Sequence, residues 1–168
     1  SVFKNKYKDQ YFITHVTYSL LKGEHPLHTN YGAIQDVLNN KNIKMPSVLD
    51  IAGAVIEIRN SKLPNPKDIG NAGSFFKNPV ISTYHYEQLK KLYPTMPHYP
   101  VSNESVKIPA AWLIEQTGFK GLIRNNIGVH KNQALVLVHF GGGHGKDLWL
   151  LAKEIRKKVK SVFDIDIT

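Results

Sequence analysis

Cysteine is absent from the 168 residues, which excludes a disulfide scaffold, a thiol nucleophile and thiolate metal ligation. Long apolar runs are absent too. No stretch approaches the roughly 20 residues that cross a bilayer, and the opening Ser1-Val2-Phe3-Lys4-Asn5-Lys6 has no apolar core of secretory-signal type. The expectation is a protein of the cytoplasm that does not engage a membrane. Acids are scarce beside bases, 13 against 22, so the formal charge is +9 and anionic partners are favoured by long-range attraction. The eight histidines form no helical i, i+4 pair with a nearby glutamate, and no metal site is expected.

What is present is enough apolar content, 42%, to bury a core for one domain or one and a piece. Tyr11–Leu20 alternates apolar with polar residues and reads as a strand, and a chain entering a strand so soon looks cut from something longer. Tyr31-Gly32 introduces a short helix through Leu38, with Asn39–Lys44 as a loop. Ser47-x-x-Asp50 has the form of a capping box opening a long helix with the stripe Val48, Ile51, Ala52, Val55 and Ile56. Pro64 and Pro66 then impose an extended segment. Ser82 caps a helix that turns Tyr86, Leu89, Leu92 and Tyr93 inward until Pro94, and Thr95–Val106 is a loop. Pro109 suits the first turn of a helix running to Gln116, with Gly118 as terminator.

Ala134–Val138 is apolar enough for a strand buried on both faces. Asp147–Val159 is an amphipathic helix, on which Lys153, Arg156, Lys157, Lys158 and Lys160 form a solvated face. Phe163, Ile165 and Ile167 alternate with Asp164 and Asp166 as a final strand. The class is α+β, with a mixed or antiparallel sheet.

Two glycine-rich runs invite a ligand. Gly141-Gly142-Gly143-His144-Gly145-Lys146 sits between a strand and a helix, where a phosphate loop would lie. The spacing refuses it, because Phe140 stands where a glycine is required and Asp147 where a magnesium-binding hydroxyl is required. The other run, Gly70-Asn71-Ala72-Gly73-Ser74-Phe75-Phe76-Lys77-Asn78-Pro79, places a hydroxyl among small residues and follows it with two aromatics, a cation and an amide. Small residues leave room for something to approach the backbone. The same residues also suit a well-turned loop anchored by Phe75 and Phe76, with Ser74 bonding the backbone. Ser74 is no hydrolase nucleophile, since G-x-S-x-G is missing around it.

This second run, together with Lys62-Leu63-Pro64-Asn65-Pro66, resembles the MurB family, UDP-N-acetylenolpyruvoylglucosamine reductases of peptidoglycan synthesis. The resemblance continues through Val106–Gln116 and Val129–Val138 and covers nearly the whole chain. It implies a C-terminal portion: residues 1–45 would end an FAD-binding α+β region and include a tyrosine-bearing loop, and 46–168 would be the substrate-binding domain. It implies an enzyme that uses FAD and NADPH to reduce UDP-N-acetylglucosamine enolpyruvate to UDP-N-acetylmuramate. By position Ser74 would be the proton donor, and Tyr31, Lys62, Asn78, Tyr99, Lys107 and Gln133 would hold the substrate. The family's catalytic arginine would fall just before Ser1 and its glutamate just after Thr168, and the partner would be an N-terminal flavin-binding region. The chain alone is therefore expected to be inactive and to bind no cofactor. Arg124–Gly128 departs from the paired glycines of many members. The alternative drawn from charge alone is a non-enzymatic basic module that binds nucleic acid or another polyanion.

Overall fold

The structure is a computed structural model and describes residues 2–23, 26–30 and 32–168. Its centre is the apolar run expected to be a strand. Strand β7 (Val136–His139) lies between β1 (Gly70–Ser74) and β6 (Ile127–Val129), and β6 pairs in turn with β5 (Ile123–Arg124), every pairing antiparallel. A second antiparallel sheet takes the order β2 (Val80–Ser82), β4 (Ser105–Lys107), β3 (Tyr99–Pro100). The class is α+β, as expected.

The helices follow their capping signals. In α2 (Val48–Lys62) the Ser47 N–H donates to Asp50 Oδ2 at 2.8 Å and the Asp50 N–H donates to Ser47 Oγ at 3.2 Å, a complete capping box. In α3 (Thr83–Leu92) Ser82 Oγ accepts from the His85 N–H. Helix α4 (Ala110–Gln116) begins after Pro109 and ends before Gly118, which adopts a φ of +80°. Helix α5 (Gly145–Phe163) buries Leu151, Ala152, Ile155, Val159 and Phe163, a stripe at helical spacing, and exposes the expected cationic face. These residues join Ile108, Leu113, Ile114, Val129 and Leu137 in the main core. A smaller cluster forms where α1 (Ile34–Asn40) packs its Ile34 and Leu38 on Ala54 of α2.

Several expectations are corrected. Residues 11–20 form no ladder and are exposed throughout, Phe12 completely, because alternation yields a strand only where a sheet edge accepts it. The Gly70–Ser74 run is a strand of the main sheet, where a loop was expected. The expected loop from Thr95 to Val106 contains the β3–β4 hairpin. Leu92 is 75% exposed, since α3 has already turned past the core at its last residue. On α2 the inward face is Ile51, Ala54, Val55 and Ile58, so Val48, Ala52 and Ile56 point outward. The C-terminal residues keep the expected alternation, with Phe163, Ile165 and Ile167 buried and Asp164 and Asp166 outside, but they form no strand. Their tie to the fold is a bond from the Lys77 N–H to the Thr168 carbonyl at 2.7 Å.

Candidate active site

Strand β1 brings the glycine-rich run against the centre of the main sheet. Gly70 pairs with His139 and Asn71 with Val138, after which the register shifts and Ser74 pairs with Val136. Gly73 takes a φ of +73°, a left-handed conformation that glycine adopts without strain. Its N–H donates to Asn71 Oδ1 at 3.1 Å, and Asn71 Nδ2 donates to the carbonyls of Ile69 (2.9 Å) and Pro64 (3.4 Å). Ser74 ends the strand with its side chain exposed, and the next N–H, from Phe75, donates to the Leu135 carbonyl at 2.8 Å. That bond sets Ser74 beside the turn that holds Gln133, whose Oε1 accepts the Leu135 N–H at 3.3 Å.

The C-terminal end of α2 reaches the same turn. Asn132 Nδ2 donates to the Ser61 carbonyl at 2.9 Å, which fixes the residue before Lys62 next to the residue before Gln133. Lys62 lines a cavity of about 440 Å³ together with Arg59, Ile58 and Val55 from α2, Gly32–Ile34 at the start of α1, and Tyr99 from β3. Lys107 lies directly across from Tyr99 in the β3–β4 pair and so shares its face. A neighbouring cavity of about 450 Å³ lies between Arg59, Asn60 and Leu63 on one side and Asn71, Ala72 and Gly73 on the other.

The structure thus joins five of the residues singled out in the sequence. Lys62 and Tyr99 share one wall and Lys107 stands beside Tyr99, while the segments of Ser74 and Gln133 are tied nearby, through Asn71 to the Pro64 carbonyl just after α2 and through Asn132 to the Ser61 carbonyl within it. Asn78 has a different employment. Its Oδ1 accepts the Ala110 N–H at 2.9 Å and so caps α4, whose own N-cap, Pro109, offers no side-chain bond. Its amide nitrogen is what it retains for a ligand. Tyr31 lies outside the described residues. Arg59 and Asn71 were passed over in the sequence. Arg59 could have been found from its i, i+3 spacing to Lys62, which puts both cations on one helix face.

His130, just upstream of this turn, has a buried Nδ1 without a hydrogen-bond partner, the one such side-chain atom among the described residues. Burial, with the charge of Lys131 second, holds its pKa below the ordinary 6.5.

The model of the UDP-N-acetylenolpyruvoylglucosamine reductase C-terminal domain matches residues 65–168. The chain belongs to that family. Relatives that carry the name UDP-N-acetylenolpyruvoylglucosamine reductase match over nearly its entire length. The protein of Flavobacterium johnsoniae is 50% identical over 167 residues, 99% of this chain and 50% of that protein. The protein of Amoebophilus asiaticus is 47% identical over 165 residues, 98% of this chain and 48% of that protein. That of Porphyromonas gingivalis W83 is 45% identical over 168 residues, 99% of this chain and 49% of that protein. The chain spans about half the length of the curated relatives it matches. Within this reductase family chain, the matched C-terminal domain contains Ser74, Asn78, Tyr99, Lys107 and Gln133, while Lys62 lies three residues before its start.

Proposed function

We propose that this chain is the substrate-binding part of a cytoplasmic reductase that converts UDP-N-acetylglucosamine enolpyruvate to UDP-N-acetylmuramate in peptidoglycan synthesis. The observation that carries the reading is the convergence around one helix end: Lys62 and Tyr99 share a cavity wall, the Gln133 turn is bonded to Ser61 in the last turn of α2, and the Ser74 strand is bonded to Pro64 just after it. Cations with an adjacent phenol and amide suit a diphosphate and a carboxylate, whose bonds to charged donors are roughly twice as strong as neutral ones. Lys62, Tyr99 and Lys107 are assigned to the substrate's anionic groups. Gln133, the Asn78 amide nitrogen and Tyr31 complete the binding set.

FAD and NADPH would supply the reducing equivalents in the full-length protein. The glycine-rich loop before α5 is the place where the sequence puts a phosphate loop. Two of its donors are taken by neighbouring side chains, the Gly141 N–H by His139 Nδ1 at 3.0 Å and the His144 N–H by Asp147 Oδ2 at 3.2 Å, which leaves that loop poorly suited to cradle a phosphate. The flavin site is assigned to the N-terminal region of the full-length protein, with residues up to Met45 closing the flavin-binding region and 46–168 forming the substrate-binding domain. The uncovered apolar residues of 11–20 support that division, because they need a partner surface.

Within the reaction, Ser74 is the proton donor. Adding hydride to the enolpyruvyl double bond leaves an enolate, whose carbon must take a proton. A serine hydroxyl is a weak acid at neutral pH and becomes competent only beside a base of that strength. In the full-length protein, Ser74→Ala should spare reduction of the flavin by NADPH and slow reduction of the enolpyruvyl substrate. Stopped-flow observation of the two half-reactions decides it, and equal slowing of both removes Ser74 from the proton-donor role.

A further inference from the structure

The register of β1 contains an irregularity with a consequence for Ser74. From Asn71 to Ser74 the strand advances three residues, while its partner moves two, from Val138 to Val136. One extra residue has been inserted in β1, a β-bulge. In an uninterrupted strand, residues three apart point to opposite faces, whereas residues paired with Val138 and Val136 share one face. The bulge therefore returns Ser74 to the face of Asn71. Asn71 lines the cavity shared with Arg59 and Leu63, at the end of the helix that carries Lys62.

A bulge leaves a backbone N–H outside the ladder and needs it satisfied. Asn71 meets this requirement with its own side chain, its Oδ1 accepting the Gly73 N–H at 3.1 Å. The other end of the amide is used as well. Nδ2 donates to the Ile69 carbonyl at 2.9 Å and to the Pro64 carbonyl at 3.4 Å, the latter two residues after Lys62. One half-buried side chain thus bridges the bulge that aims Ser74 and the segment that leaves the Lys62 helix. Gly73 fits the same arrangement: a Cβ there would meet nothing within 4 Å, so space does not demand glycine and the φ of +73° does.

We infer that Asn71 is a positioning residue for proton transfer: by fixing the Ala72–Gly73 bulge to the segment after α2, it sets the direction of the Ser74 hydroxyl relative to the substrate held at Lys62. The inference rests on Ser74 being the proton donor. It assigns Asn71 no contact with the substrate.

The test uses the full-length reductase and follows the two half-reactions separately in Asn71→Ala, Asn71→Asp, Gly73→Ala and Ser74→Ala. Misaiming a reacting group by about 1 Å costs up to about 100-fold in rate. Asn71→Ala should slow reduction of the enolpyruvyl substrate by about tenfold to 100-fold, with KM within about twofold and flavin reduction by NADPH unchanged. Asn71→Asp keeps the acceptor for the Gly73 N–H and should recover most of that loss. Gly73→Ala, which strains the same bulge without a clash, should reproduce the Asn71→Ala pattern and decides the matter if Asn71→Ala does not fold. Amide hydrogen exchange at Gly73 should accelerate in Asn71→Ala and not in Asn71→Asp. If Asn71→Ala raises KM alone, or slows both half-reactions equally, Asn71 shapes the cavity or the fold and the inference is overturned. If Ser74→Ala slows the substrate half-reaction and neither Asn71→Ala nor Gly73→Ala does, the positioning role fails and the proton-donor reading stands. If Ser74→Ala itself is silent, both fall.

Discussion

The two long helices, α2 and α5, carry similar chemistry at their ends. Each has an acid at its third position that takes the N–H of the cap residue, Asp50 for Ser47 and Asp147 for His144, and each ends in cations, Arg59 and Lys62 in one and Lys160 in the other. Both arrangements favour the helix dipole. Their burial differs. Helix α5 sinks a five-residue stripe into the main core, whereas α2 buries Ala54 alone and leaves Leu49 83% exposed. Capping thus decides where a helix begins, and tertiary neighbours decide what it is for. α5 serves as a wall of the core, and α2 is held mainly by α1 and by its C-terminal end, where the Asn132 and Asn71 side chains reach it and the residues just after it.

Four substitutions or conditions would break or sharpen that contrast. The largest effect is expected at Ile155, which is fully buried: Ile155→Ala should lose about 2–5 kcal/mol in urea unfolding, against less than about 0.5 kcal/mol for Leu49→Ala. Similar losses at both sites would make the two helices equal partners in the core. Next comes Lys62→Ala in the full-length protein. It should weaken binding of the UDP-linked substrate by about tenfold to 100-fold in titration calorimetry, the scale of a charged hydrogen bond, with little change in melting temperature. Melting that falls while affinity holds would make the end of α2 structural.

A smaller effect is expected from Ser47→Ala, about 1 kcal/mol and a loss of helical circular dichroism from the start of α2, as is typical when an N-cap hydroxyl is removed. The smallest effects come with pH. The Ser47 side chain first, then its backbone, holds Asp50 below its ordinary 3.8, and Lys160 holds Asp164 below the same value. Stability from a carboxylate held low is present above 3.8 and is lost as pH falls through the lowered pKa, so acid should loosen the start of α2 and the end of α5 together. Lys160 is raised above 10.5, chiefly by its bond to Asp164 and then by Asp166. Its contribution is complete below 10.5 and is lost as pH rises through the raised value. Alkali should therefore loosen only α5. Parallel melts of Asp50→Asn and Lys160→Met across both ranges check the asymmetry, and an alkaline loss that survives Lys160→Met would end the assignment.

Local signals were legible where one residue acts on its neighbours. Ser47 with Asp50, Ser82 with His85, and Pro109 with Gly118 set helix boundaries because caps and turns are satisfied within a few residues. The run Ala134–Val138 announced the central strand, which forms over Val136–His139 with Ala134 and Leu135 in the turn before it. Residues whose outcome depends on distant partners were not legible in the same way. Tyr11–Leu20 has the alternation of a strand and pairs with none of the sheet edges among the described residues. Asn78 reads as a ligand amide and also caps a helix 32 positions further along. Asn71 and Gly73 read only as part of a small-residue loop, since the bulge they build exists only once β7 lies alongside.

By itself the sequence determined the α+β class, the limits of α3 and α4, the start of α2 and the resemblance to the reductase family. Those follow from residue type and short spacing. Tertiary structure alone decided that Lys62 and Tyr99 share a cavity, that the register of β1 shifts before Ser74, and that α2 rather than α5 lines that cavity. Each depends on strand register and on hydrogen bonds between segments far apart in the chain, and a shift of one residue in register moves a side chain to the opposite face.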